Sequence, residues 1–207
     1  MSLLTNWGYA LMDTDELTAF LTDEEFSAYT AGKFDGDERI TSNIKAASMA
    51  IRNYCGWHMY PAHACELKAT FYDKRVTIVG GGILIQLPAR HVSEVTSVTI
   101  AGESYTEFTL ETNGTLRVYG NFSGLRMHSE IDVVYTAGLP DGLMDSIKEL
   151  AANRVIHALA SSYGVTSEAA GGVSITYNAS WAGNTQATAL TDPGKEVLTP
   201  YRLEGVF

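Results

Sequence analysis

Cysteine is scarce in this sequence: Cys55 and Cys65 are the only two among 207 residues. Two cannot build a disulfide framework, and they fit a reducing cytoplasm. Long apolar runs are also missing, and none approaches the roughly 18 residues that a membrane-crossing helix requires. The opening stretch, MSLLTNWGYALMDTDELTAF, has no basic segment leading into an unbroken apolar run, so no secretory signal is expected. The Asn-x-Ser/Thr triplets at Asn113, Asn121 and Asn178 accordingly read as turn and strand chemistry rather than glycosylation sites. Positive charge is the third shortage. There are 14 Lys and Arg against 24 Asp and Glu, a formal charge of −10, and nine of the acidic residues precede Arg39 with only Lys33 among them. Such a chain does not condense on nucleic acid by releasing counterions. Its carboxylates can wall a passage for a duplex without gripping it, or simply form a solvated face that aids solubility.

Catalytic signatures are absent too. There is no Gly-x-Ser-x-Gly and no His-Glu-x-x-His. "VGGGIL" at 79–84 resembles a phosphate loop only in its glycines. It leads into a strand-like run without a following Lys-Ser/Thr, and reads as a hairpin turn. His157 falls in a helical stretch and reads as a structural histidine, while spacing identifies no partner for His91 or His128. Neither an enzyme nor a cofactor is expected.

What is present is globular material, 45% apolar and 18% charged, on a chain long enough to bury a core. The first third has helical spacing. Asp13 or Thr14 is placed to cap a short helix carrying Leu17, Phe20 and Leu21, and Thr22 with Glu25 has capping-box spacing ahead of Phe26 and Tyr29. From Asp37 a longer helix sets Ile40, Ile44, Ala47, Ile51 and Tyr54 on one stripe. The middle third changes period. "ELKATFY", "RVTIV", "ILIQL", "VTSVTIAG", "YTEFTL", "TLRVY" and "EIDVVYTAG" are short, rich in Val, Ile, Thr and Tyr, and bounded by turn residues, as antiparallel strands are. "TNGT" at 112–115 is a tight-hairpin signal.

"LPDGLMDSIKELAANRVIHALASSYG" returns to helix between Asp141 and Gly164, and "VSITYNAS" at 173–180 alternates like a strand. A last helix starts near Asp192-Pro193, and Pro200 bends or ends it. The fold class expected from this order is α+β, a helical bundle core with an inserted antiparallel β-sheet or small barrel and a C-terminal helix. Its parts are residues 1–62 (helical), 63–138 (β-rich insertion) and 139–207 (central helix, hairpin, C-terminal helix and tail), with the helical parts forming one unit.

"YCGWHMYPAHAC", residues 54–65, concentrates the chemically capable side chains. Cys55, His58, His63 and Cys65 offer a ligand set for zinc, which binds thiolate and imidazole tetrahedrally. The pair at 63 and 65 is spaced too closely for an ordinary structural site. Helix termination explains the same residues better. Tyr54 and Cys55 end a helix, Gly56 takes the left-handed position, Trp57 packs back, and Pro61 forbids resumption. Cysteine is then a small buried hydrophobe, and no metal is expected.

The stripe ending in "AIRNYCGWHMYPA" resembles the head–tail connector (adaptor, or head-completion) proteins of long-tailed phages and prophages, which typically carry an amino-terminal helix closing in Tyr-x-Gly-Trp followed shortly by proline. Here those positions are Tyr54, Gly56, Trp57 and Pro61. "VTSVTIAGESY", "IDVVYTAGLPDGLMDSIKELAANRVIHAL" and "SYGVTSEAAGGVSITYNAS" followed by "LTDPGKEVLTPYR" are similar to further stretches of that family, in the same order along residues 13–205. The resemblance implies a structural virion protein without catalysis. It would form a homo-oligomeric ring, a dodecamer in the virion, below the portal at the capsid vertex, after assembly in the host cytoplasm. The ring would extend the DNA channel used in packaging and meet a downstream stopper or tail-completion protein, with DNA passing through unread and no membrane involved. The carboxy-terminal "YRLEGVF", with Tyr201, Arg202, Leu203 and Phe207, is the expected portal-docking tail, and its removal from residue 199 onward is expected to spare the fold. Two alternatives stay open. One is another neck or tail-completion protein of a long-tailed phage. The other is an enzyme hidden in the β-rich middle, which a deep pocket with convergent titratable groups would mark.

Overall fold

Thr22 opens the first helix by the reciprocal arrangement its spacing requires. Its Oγ1 accepts the Glu25 N–H at 3.1 Å, and Glu25 Oε2 accepts the Thr22 N–H at 2.9 Å. In this computed structural model, which describes residues 4–6, 17–111, 113–122, 124–160, 167–170, 173–176, 190 and 192–203, helix α1 spans Asp23–Thr30. Asp23, Glu24 and Glu25 fill its first turn, where negative charge meets the exposed N–H groups. Helix α2 spans Ile40–Cys55 and buries Ile44, Ala47, Ser48, Ile51, Arg52 and Cys55, a stripe with helical spacing. Helix α3 spans Asp145–Ala160, and helix α4 spans Asp192–Leu198. A 3-10 turn, Thr199–Tyr201, follows α4 and contains Pro200, which cannot donate the bond that would continue the helix.

The helix expected around Leu17, Phe20 and Leu21 does not form among the described residues, and Asp13 and Thr14 lie outside them. Phe20 and Leu21 are instead buried from a bend just before α1. The Phe20 N–H donates to Ser48 Oγ at 3.0 Å, and the Arg52 guanidinium lies 4.3 Å from the Phe20 ring centroid. Burial lowers the Arg52 pKa to about 10, still far above neutrality, so the stacked cation keeps its charge.

Between His63 and Ala137 every helix or strand among the described residues is a strand. Strands β2 (His63–Thr70), β5 (Val92–Ile100), β6 (Glu103–Ser104) and β9 (Glu130–Ala137) join β1 (Leu4–Asn6) in one sheet of order β1-β2-β9-β5-β6. Only β1 runs parallel to its neighbour, pairing with β2. Apolar residues meet in rows across the sheet: Leu67, Val133 and Val98 form one, and Ala69, Ile131 and Ile100 the next. All six are buried, which is the alternation a one-faced sheet needs. Strands β3 (Val76–Val79), β4 (Gly82–Gln86), β7 (Phe108–Leu110) and β8 (Thr115–Tyr119) make a second, wholly antiparallel sheet of order β3-β4-β8-β7. Its buried face carries Ile83, Ile85, Leu116 and Val118. The glycines of "VGGGIL" form the β3–β4 hairpin, with Val79 paired to Gly82. Strands β10 (Ser167–Ala170) and β11 (Val173–Thr176) form a separate hairpin.

The chain divides into two compact units. The first comprises Met1–Thr18, Tyr54–Gly142 and Pro200–Phe207 and holds both large sheets; the second comprises Ala19–Asn53 and Leu143–Thr199 and holds most of the helical residues and the β10–β11 hairpin. These elements overturn the expected helical bundle core: the protein is mostly β. Helices α1 and α4 have 8 and 7 residues, about 10–12 Å of axis, too short to wall a bundle. The stripe on α2 and the small residues on α3 establish that one face of each is buried. They do not say that the covering layer is another helix, and that is where the bundle reading went wrong.

Candidate functional site

Helix α2 ends where a left-handed residue is required. Gly56 has φ +80°, and a Cβ built there would lie 3.7 Å from Leu203 Cβ, an ordinary contact. Conformation, not space, therefore demands glycine at this position. The turn delivers Trp57 into the core with no exposed surface. Its Nε1–H donates to the Tyr201 carbonyl at 2.7 Å, satisfying the one polar atom of a buried indole. The chain after α4 is held by further contacts. The Leu203 N–H donates to the Cys55 carbonyl at 2.9 Å, Arg90 Nε donates to the Arg202 carbonyl at 2.8 Å, and the Arg202 guanidinium sits 5.2 Å from the Tyr54 ring centroid. Residues 201–203 thus form a strap across the end of α2.

This strap joins the two groups of site residues that the sequence keeps far apart. Tyr54, Gly56 and Trp57 meet Tyr201, Arg202 and Leu203. Pro61 lies further along, after a cis Tyr60–Pro61 bond. Phe207 lies outside the described residues. Tyr201 and Leu203 are half-buried and Arg202 is exposed, so the strap both anchors the chain and presents side chains to solvent. Arg90 is the member that sequence reasoning missed. It is 112 residues from Arg202 and belongs to no motif.

Below the strap the chemically capable residues are engaged in packing. His58 Nε2 lies 2.7 Å from the Ala137 carbonyl, which only accepts, so this nitrogen donates. His58 Nδ1 then faces Cys65 Sγ at 3.9 Å, and His63 Nδ1 donates to the Ala64 carbonyl at 2.8 Å. The Leu139 N–H donates to the Met59 carbonyl at 2.7 Å, bringing the β9–α3 connection against the same turn. A Cβ on Gly138 would collide with the Ala62 backbone, so the glycine of the Gly-Leu-Pro turn permits this close approach. Among the described residues, no group of three or more His, Cys, Asp or Glu is arranged to hold a metal.

Burial pushes the Cys55 thiol up to about 12, against a smaller opposite pull from Arg202. Burial likewise pushes Cys65 up to about 12, outweighing its hydrogen bond with the Tyr135 side chain. Both thiols are therefore protonated and covered, and a thiol reagent attacks thiolate. Ellman's reagent at about pH 8 is expected to find neither cysteine in the folded protein and both in denaturant. Reaction of the native protein at the rate of a free thiol would refute this packing.

The remaining sequence candidates fall elsewhere. Of the early carboxylates, Asp13, Asp15 and Glu16 lie outside the described residues. Asp23 accepts from Thr41 Oγ1 at 2.7 Å, Glu25 pairs with Lys148 at 2.6 Å, and Asp37 pairs with Arg39 at 2.7 Å. Hydrogen bonding to Arg39 holds Asp37 down at about 2, so it is ionised throughout the neutral range. His157 is exposed near the end of α3 and lines a cavity of about 540 Å³ between α3 and α4, with Ser146, Glu149 and Arg154. Ser146 and His157 stand eleven positions apart on one helix, about 16 Å along its axis, too far for a nucleophile and its base. Among the described residues, no helix is long and apolar enough to cross a membrane.

Compared with protein families, the sequence model described as Head completion protein matches residues 19–202. The match begins one residue before Phe20, runs through both units, and ends within the strap at Arg202. No curated protein matches significantly.

Proposed function

The chain belongs to the head completion protein family, and from that premise we propose that it forms a ring below the portal at the capsid vertex, extends the DNA channel, and joins the capsid to the tail or neck. Family membership makes it a structural component of the phage head, and so of the virion. The ring, its dodecameric symmetry and its partners are this proposal's own content. The reading draws most on the strap. Tyr201, Arg202 and Leu203 are held at a fixed place by Trp57, Cys55 and Arg90, so the tail beyond them starts from a defined point. A docking segment launched from a rigid anchor loses less entropy on binding than a free one. The portal contact comprises Tyr201, Arg202, Leu203 and Phe207, and the opposite side of the ring meets a stopper or tail-completion protein. The early carboxylates line the channel, repelling the duplex so that it slides.

Electron microscopy of the protein mixed with its portal is expected to show an added ring layer with the portal's symmetry. A portal that remains bare at saturating protein would end the proposal. Assembly onto tail-tube protein instead would favour a different neck or tail-completion component.

A further inference from the structure

The second sheet has two open edges. Its order β3-β4-β8-β7 leaves β3 and β7 each with one neighbour among the described strands. Open edges are template surfaces, and soluble monomers blunt them with charge, proline or a covering segment. Strand β3 reads Val-Thr-Ile-Val, with neither charge nor proline, and Ile78 is 63% exposed. Strand β7 reads Phe-Thr-Leu, with Phe108 and Leu110 half-buried and Thr109 exposed.

The hydrogen-bond ladder decides which groups face outward. The Gln86 N–H donates to the Arg75 carbonyl and Val79 pairs with Gly82, so residues 75, 77 and 79 are turned toward β4, and 76 and 78 away from it. On the other edge the Tyr119 N–H donates to the Glu107 carbonyl and the Glu111 N–H to the Thr115 carbonyl. Residues 107, 109 and 111 are therefore turned toward β8, and 108 and 110 away. The Val76 N–H is already committed to the Asp73 carbonyl. The Ile78 peptide groups, the Val76 carbonyl, and the Phe108 and Leu110 groups remain for a further strand.

Side-chain faces match as well. Ile78 lies in one row with Ile83, Val118 and Phe108, and Val76 in the next with Ile85, Leu116 and Leu110. Setting β3 of one copy antiparallel to β7 of another, with Ile78 opposite Phe108 and Val76 opposite Leu110, continues both apolar rows across the junction. Thr77 then opposes Thr109 on the other face, a favourable cross-strand pair. Exposed Lys74, just before β3, arrives near exposed Glu111, just after β7, which lies 3.5 Å from Arg117, so the charges at the junction are of opposite sign, while Arg75 stays buried against its own Asp73. The reverse pairing, β3 with β3, would set the exposed Lys74 of both copies at the ends of one short ladder with no carboxylate supplied from β7.

We infer that successive copies of this chain join by pairing the β3 edge of one with the β7 edge of the next. This rests on the proposed ring and identifies its contact. Strands β3 and β7 run in opposite directions within the sheet, so antiparallel joining leaves each copy facing the same way as its neighbour. The contact is head-to-tail and closes into a ring or extends, where a two-fold dimer would stop.

Thr77 and Thr109 point their peptide groups away from the junction, so they form a close, non-hydrogen-bonded pair suited to a disulfide. A mixture of Thr77→Cys and Thr109→Cys chains under mild oxidation is expected to give a disulfide-linked dimer of one of each and nothing larger. A chain carrying both substitutions should give a ladder. Adding Ile78→Lys to the Thr77→Cys chain should cut the dimer yield at least tenfold, with thermal unfolding showing that each variant is folded. Peptide mapping of the 77–109 bond reads the register. Absence of the mixed dimer, or equal dimerisation of Thr77→Cys alone, overturns the pairing. Ring formation on the portal by the wild-type chain, measured alongside, then stands or falls separately. Rings without the cross-link leave the ring and remove this contact; the cross-link without rings does the reverse.

Discussion

Replacing Trp57 by alanine will lower the unfolding free energy by about 3–5 kcal/mol, the range for removing a fully buried aromatic side chain. For a chain of this size that is a fall of roughly 6–20 °C in melting temperature. The indole is fully buried, and its Nε1–H satisfies the Tyr201 carbonyl at 2.7 Å. Trp57→Phe separates the two contributions. It retains most of the packed ring but deletes the donor, and Tyr201 is half-buried, so water can replace the lost partner. The expected cost attributable to the bond is about 0.5–1.5 kcal/mol. Gly56→Ala tests the turn itself. Space is available, so its expected cost of about 1–2 kcal/mol arises from the left-handed conformation alone. Urea midpoints with unchanged slopes measure all three. A Trp57→Ala chain as stable as the parent would mean that the end of α2 does not depend on this anchor.

Two truncations carry the second large effect. Removing residues 199–207 deletes the acceptor for Trp57, the donor to the Cys55 carbonyl and the acceptor for Arg90, and exposes part of the indole. At about 1 kcal/mol for each hydrogen bond, the expected loss is about 2–4 kcal/mol before any exposed apolar surface is counted. The expectation that this cut spares the fold therefore gives way to a different one, because residues 201–203 are part of the packing. Removing 204–207 alone leaves every strap contact in place. Its expected effect is loss of portal attachment. Thermal unfolding and portal co-sedimentation on the same samples separate anchoring from docking. A 199–207 deletion with an undiminished melting temperature would sink the strap. Full portal attachment without 204–207 would remove Phe207 from the docking surface.

The features that were legible are those whose cause lies within a few residues. Thr22 and Glu25 announce their capping box because both partners sit in one turn. Strands β2 to β5 and β7 to β9 follow the Val, Ile and Thr runs, and "TNGT" supplies the β7–β8 turn, with Gly114 at φ +80°. Gly56 and Trp57 read correctly as the end of a helix for the same reason. The bundle did not read correctly, since periodicity shows that a face is buried without showing what covers it. Phe20 and Leu21 illustrate the error. Their apolar character predicts burial, which they have, but they lie in a bend instead of a helix, where Phe20 meets Ser48 and Arg52.

Local chemistry written in the residue order thus determined the caps, the glycine turns, the strand segments and the acidic balance, since each depends on neighbours already adjacent in the chain. The order of strands in the sheets, the parallel β1, and the strap between Trp57 and Tyr201, 144 positions apart, were decided only when the chain closed on itself. Those pairings depend on which buried surfaces and unpaired peptide groups arrive together in space, and separation along the chain carries no record of that arrival.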